Sequence, residues 1–271
     1  MTSGSFKDSE KLEADLLGGR AQPGCEMLKK ILSYSLPVVG LCSFFSVQTY
    51  VAGFLLNVVV PKTIDSGLEV PVARALLSDG LLLALFGLQH SIMARRTFKK
   101  WLTRFIPEQF ERSLYVILSS AVMAAMMFHW QPLKHPVWSA TQGYPTALFY
   151  GIFAAGCLIL GHSVLVIGGA DLLGFRQASR SLGGEPSAPP EFTTPGLYQY
   201  IRHPMMTGTL LVFWATPAMS VGHFLFAAAM TCYVLIAISF EERDLINVYG
   251  ERYRSYKQRV GMLLPDWKRD C

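Results

Sequence analysis

Four stretches of the sequence, residues 31–61, 113–133, 135–170 and 203–240, contain no Lys, Arg, Asp or Glu. A fifth, between Arg74 and Arg95, holds a single charge, Asp79. Charged residues make up 16% of the 271 positions, against about 25% in a soluble domain. A helix crossing the hydrocarbon core of a bilayer needs about 20 mostly apolar residues, and these windows supply them. The chain therefore reads as an all-α polytopic membrane protein.

Other absences exclude chemistries. The five cysteines, Cys25, Cys42, Cys157, Cys232 and Cys271, form no CxxC and no zinc-like spacing, so neither a metal site nor a disulfide framework is expected. The six histidines include no i, i+3 or i, i+4 pair, and HExxH, GxxxxGK[ST], GxSxG and GxGxxG are all missing. Paired broken helices with midplane charges, the mark of many transporters, are missing too. The net charge of +5 is distributed by loop and calls for no nucleic-acid partner. The first thirty residues mix five basic with five acidic side chains, unlike a secretory signal. Residues 1–30 are read as a flexible cytoplasmic tail, and the first span as an uncleaved anchor.

The spans expected are 36–59, 76–94, 113–131 and 146–168, followed by the uncharged run 203–240. That run is twice the length of one crossing, and Pro217, Ser220 and Gly222 interrupt its middle. Because Pro breaks or kinks helices, a helical hairpin of 204–217 and 221–240 or beyond is expected. Lys plus Arg by connection run 5, 2, 6, 1, 3 and 7 from the N-terminal tail to the C-terminal segment. Under the positive-inside rule this alternation places both termini in the cytoplasm and requires the hairpin. The domains expected are a four-helix transmembrane bundle over 31–168 and a C-terminal region over 169–265.

Chemistry concentrates in that second region. In "GLYQYIRHPMMTG" (196–208), Pro204 suits the first turn of a helix, with His203 at its N-cap. Arg202 adds a planar fork that matches carboxylate or phosphate, next to a helix start that favours an anion. The alternative is a flanking Arg that reaches lipid headgroups and a His that only caps. Glu241 and Glu242 end the apolar run where Lys or Arg would be usual. Adjacent residues lie about 100° apart on a helix, so one can face a cationic ligand or sugar hydroxyls while the other faces water or pairs with Arg202. The alternative there is a salt-bridged helix end. Residues 241–259 read as one helix with Tyr249, Tyr253 and Tyr256 on one face; an interfacial amphipathic helix explains them without function. Gln89 and His90 in the second span should face the bundle interior, lining a substrate path or bonding a neighbouring helix. His162 and Asp171 pose the same choice at the end of the fourth span.

The order GxYxxxRHPxxxG … EExxL … GxxYxxYxxxV over 196–260 resembles the integral-membrane S-adenosylmethionine-dependent methyltransferases of the isoprenylcysteine carboxyl and phospholipid methyltransferase superfamily. Further stretches, "GADLLGFRQ" (169–177), "FWATPAMSVGHFLFA" (213–227) and "SFEERDL" (239–245), resemble the methanethiol S-methyltransferase family within it. "GLQHSIMA" (87–94) and "RSLYV" (112–116) resemble that family and also nurim, a nuclear-envelope membrane protein. The resemblance implies S-adenosylmethionine as cofactor and a small thiol as acceptor, with an isoprenylcysteine- or phospholipid-type enzyme or a non-catalytic scaffold as alternatives. It puts Tyr198, His203, Pro204, Met206, Gly208 and Leu245 around the cofactor. Arg202 would hold the cofactor's carboxylate, Phe192 and Thr193 would contact it through backbone, and Glu241 or Glu242 would bind it from the hairpin's far end. The catalytic candidates are His203, Glu241 and Glu242; Gln89 and His90 would line the acceptor's path. Met206 stands where the superfamily often has Tyr, and Gly261 where it often has Pro.

The charge tally yields a test. Reporter fusions at residue 1 and residue 271 should both read cytoplasmic; opposite sides would remove the hairpin.

Overall fold

The computed structural model describes residues 23–140, 142–169, 173–183 and 191–266. The first long helix, α1, is Pro23–Leu56. It begins well before the expected 36, so the reading of 1–30 as a flexible tail fails for 23–30; residues 1–22 lie outside the described part. Pro23 sits in the first turn, where its missing N–H is harmless, and Asn57, at φ 58°, ends the helix in the left-handed conformation that Asn tolerates.

Helices α2 (Val72–Ala94) and α3 (Arg96–Leu102) follow. After a short turn come α4 (Glu111–His129), strand β1 (Pro136–Ser139) and α5 (Gly143–Val166). Then come α6 (Phe175–Gly183), α7 (Pro204–Trp214), strand β2 (Ala218–Ser220), α8 (Val221–Tyr249) and α9 (Glu251–Arg259). Among the described residues, five helices are long and apolar enough to cross a membrane: α1, α2, α4 with its leading turn, α5 and α8. Their outward faces carry exposed Leu77, Leu81, Leu158 and Leu165, as a lipid-facing surface requires.

The hairpin departs from expectation in two ways. Its first arm, α7, has 11 residues, roughly 16 Å at 1.5 Å per residue, too short for a core of about 30 Å. The chain continues extended through Ala215–Ser220 instead. Non-helical backbone within a bilayer survives only where protein satisfies it, and here β2 pairs antiparallel with β1. Pro217 O accepts from Ala140 N at 2.7 Å, and Val221 N donates to His135 O at 2.8 Å. Trp138 Nε1 donates to Thr216 O at 3.0 Å. Ser220 then caps α8 by accepting from His223 N. Beneath this end of the bundle, Phe226 meets Trp130 and Phe213 edge-on at 5.7 and 5.3 Å.

The second departure is at the other end. Residues 241–249 continue α8, and Gly250, at φ 58°, separates them from α9, so the single helix expected over 241–259 is two.

Helix α7 packs against α5 through two glycines. A Cβ on Gly208 would lie 2.7 Å from both Gly156 O and Leu160 N; small residues let membrane helices approach this closely. Gly208, expected beside the cofactor, is thus buried in a helix–helix seam. Gly208→Ala should destabilise the protein by about 1–3 kcal/mol, read as a lower melting temperature of the detergent-purified chain. An unchanged value would show that the two helices can part without loss.

Candidate active site

The segment before α7 is held by the far end of the chain. Gly196, at φ 57°, opens a single turn over Gly196–Gln199, and a Cβ there would lie 2.7 Å from His162 Nε2, so conformation and space both demand glycine. Ile201 bridges to Gly261. Arg202 N donates to Gly261 O at 2.8 Å and His203 N to Met262 O at 3.1 Å. Thr207 Oγ1 donates to Leu263 O at 2.8 Å. Pro204 stands in the first turn of α7, with His203 as N-cap but making no side-chain cap bond, so its ring is available elsewhere.

That ring lies between the two carboxylates. His203 Nε2 is 3.3 Å from Glu242 Oε1, and Nδ1 is 3.6 Å from Glu241 Oε2. Arg202 Nε donates to the same Glu242 oxygen at 2.8 Å. Lys257 Nζ meets the other, Oε2, at 2.5 Å. The rest of the Arg202 fork donates to Lys257 O at 2.9 Å and Val260 O at 2.5 Å, the orphan carbonyls that a helix C-terminus leaves. The carboxylate expected at Arg202 is therefore supplied, in this structure, by the chain's own Glu242. A side chain at position 242 that is 6% exposed gathers three cationic or ring nitrogens; its neighbour Glu241, with its side chain 48% exposed, has one ring nitrogen near it. The hairpin end thus separates two adjacent carboxylates into a buried anchor and an open group. On the Glu242 side, a hollow of about 290 Å³ has Leu235, Ile238 and Met262 as its apolar wall.

The tyrosines are not interfacial decoration. Tyr253 and Tyr256 are buried, and Phe192 packs among Tyr249, Tyr253 and Tyr256 with ring centres 5.2, 5.9 and 5.4 Å away. Tyr256 Oη donates to Tyr198 O at 2.5 Å. Burial pushes the Tyr256 hydroxyl up to about 12 and raises those of Tyr198 and Tyr253 as well, so all three stay protonated at neutral pH. Thr193 is exposed at the rim, and Met206 and Leu245 are half-buried on α7 and α8.

Gln89 and His90 are not brought to this cluster. His90 lies 2.7 Å from Tyr115 Oη and 3.2 Å from Ser119 Oγ, and Gln89 Nε2 donates to Ser119 Oγ at 3.3 Å, joining α2 to α4. Asp171 lies outside the described residues. Sequence reasoning missed Lys257, whose partner stands fifteen residues earlier, and Arg95, which sits over the Phe240 ring at 4.3 Å and 3.7 Å from Asp244. Among the described residues, no group of three or more His, Cys, Asp or Glu side chains is placed to hold a metal ion.

The asymmetry of the two glutamates is testable by stability alone. Glu242→Gln leaves Arg202 and Lys257 without their charge partner and should lower stability by roughly 1–3 kcal/mol. Glu241→Gln should leave the melting temperature in place. Equal effects would contradict the anchor assignment.

Residues 150–252, which include the start of α7 and both glutamates, match the phospholipid methyltransferase family model. Methanethiol S-methyltransferase 2 of Bradyrhizobium diazoefficiens is 45% identical over 235 residues, 87% of this chain and 90% of the relative. Methanethiol S-methyltransferase 1 of the same organism is 40% identical, over 89% of this chain and 84% of its own. Nurim of Sus scrofa is 32% identical over 67% of this chain and 70% of its own. No solved structure matches the chain. With relatives this similar over nearly their whole length, and with the motif residues gathered in one cluster, the chain belongs to the methanethiol S-methyltransferase family of membrane proteins.

Proposed function

We propose that this protein transfers a methyl group from S-adenosylmethionine to methanethiol, giving dimethyl sulfide, with residues 169–265 as the methyltransferase region. Its termini would lie on the cytoplasmic side of a bacterial inner membrane. The observation that carries the reading is the meeting of two segments about forty residues apart in sequence: Arg202 lies 2.8 Å from Glu242, and His203 lies 3.3 Å from Glu242 and 3.6 Å from Glu241.

The residues present fit such a donor. An open carboxylate at Glu241 suits a cation or sugar hydroxyls, and the rings of Phe192 and its tyrosines suit a flat base. When bound, S-adenosylmethionine supplies an electrophilic methyl group on a sulfonium, a good leaving group. The protein's task is then mainly alignment and exclusion of water. Glu242, with Arg202 and Lys257, fixes α8 and α9 against the start of α7. Tyr256 holds the backbone at Tyr198, and Phe192 holds the loop that carries Thr193. Pro204, Met206 and Leu245 would add apolar contacts to the donor from α7 and α8. The attacking group must be thiolate. In the tautomer whose Nε2 hydrogen is given to Glu242, His203 keeps a basic Nδ1 on the Glu241 side, where it accepts the thiol proton. The acceptor, being small and apolar, would arrive through the bilayer past Gln89 and His90.

The test is headspace dimethyl sulfide from cells expressing the chain and supplied with methanethiol. The wild type should produce it, and Glu241→Gln, which keeps size and loses charge, should lower the yield at least a hundredfold at matched protein level. No dimethyl sulfide from the wild type, with label from S-adenosylmethionine recovered in lipid instead, would replace the thiol by a lipid acceptor. Full activity of Glu241→Gln would remove Glu241 from the site.

A further inference from the structure

The two buried tyrosines of α9 use their hydroxyls differently. Tyr256 donates to Tyr198 O. Tyr253 is 2% exposed, and its hydroxyl has no hydrogen-bond partner. A buried O–H left unpaired is unfavourable by roughly 1–3 kcal/mol, so such a group persists where something else completes it. The place is informative. The charged groups within electrostatic reach of Tyr253 are Glu242, Arg202 and Glu241, the centre of the cluster described above. Its ring meets Phe192 edge-on at 5.9 Å and 82° and Tyr256 at 5.7 Å, so the ring is fixed by packing and the hydroxyl cannot swing out to water.

The other unpartnered buried polar atoms among the described residues are Gln89 Oε1, Trp130 Nε1 and His223 Nδ1. Trp130 and His223 lie at the opposite end of the bundle, and Gln89 lies between α2 and α4. Tyr253 is the one of the four that belongs to the cluster.

We infer that Tyr253 is a ligand contact whose hydroxyl donates a hydrogen bond to an acceptor atom on the nucleoside part of the methyl donor. This rests on the reading of the site as one for S-adenosylmethionine. The donor carries the required chemistry: ribose oxygens and ring nitrogens accept, and a flat base fits beside Phe192. Glu242, already bonded to Arg202, His203 and Lys257, is not left waiting for the Tyr253 proton. The sequence pattern puts Tyr253 on the same stripe as Tyr249 and Tyr256 and does not distinguish them; the unpaired hydroxyl does.

The inference makes a two-sided prediction, because removing an unpaired buried hydroxyl relieves the ligand-free protein while removing a ligand contact weakens the complex. The probe is S-adenosylhomocysteine, titrated calorimetrically into the purified full chain in detergent, alongside thermal melting without ligand. Tyr253→Phe should melt at the same temperature as the wild type or higher, and should bind about tenfold more weakly. Tyr256→Phe, which loses a bond within the chain, should melt lower. An unchanged dissociation constant for Tyr253→Phe overturns the inference while leaving the site assignment intact. Weaker binding together with lower melting in Tyr253→Phe, the pattern expected of Tyr256→Phe, also overturns it, since the hydroxyl would then be structural. If the wild type does not bind S-adenosylhomocysteine at all, the proposed function fails and this inference fails with it.

Discussion

The Glu242 carboxylate is the tie on which the end of the bundle depends. It comes from the last turns of a long apolar helix, yet it bonds a guanidinium from the segment before α7, the ring beside it, and an ammonium from α9. Burying one carboxylate is unfavourable unless charge and hydrogen bonds compensate it. Three nitrogens do so here, and the arrangement fixes three chain segments at once. Arg202 completes the tie by donating to the last carbonyls of α9, which otherwise have no helical partner. The open position of Glu241 follows: one residue earlier the helix is turned by about 100°, and that carboxylate lies outside the cluster's interior.

At the opposite end the constraint is the bilayer itself. A chain that leaves the helix at Trp214 and stays extended to Ser220 loses its helical hydrogen bonds, and lipid cannot replace them. The β1–β2 pair and the Trp138 indole supply the partners. The short α7 is possible because that pairing exists, and α7 can approach α5 because Gly156 and Gly208 carry no side chain. The two ends are therefore linked. A half-length helix, pinned at one end by strands and at the other by Arg202 and His203, holds the RHP segment at a set distance from α8.

Much of this was legible residue by residue. Uncharged runs located α2, α4 and α5 to within a few positions, since length and composition alone decide whether a segment can sit in lipid; α1 begins well before its uncharged run and α8 continues well past it. Pro204 marked the first turn of α7 and Ser220 the start of α8, because both act through their own backbone neighbourhood. The split at Gly250 was less visible: the apolar pattern changes at Glu241, but the helix does not, since a helix propagates through charges and stops at a residue with positive φ. The strands were not visible at all. Their four and three residues have no periodicity of their own and form only because they meet.

The site divides in the same way. The sequence by itself determined which residues are unusual: Arg202, His203 and the two glutamates, polar groups placed where apolar ones are expected. It also determined that Tyr249, Tyr253 and Tyr256 share a face. Only the tertiary structure decided that Arg202 is satisfied by Glu242, that Glu241 stays open, that Lys257 joins the cluster, and that Tyr253 alone among those tyrosines is buried without a partner. Each of these depends on contacts between segments fifteen to sixty residues apart. Such contacts are set by how helices pack and where the chain turns back, and no local spacing encodes them.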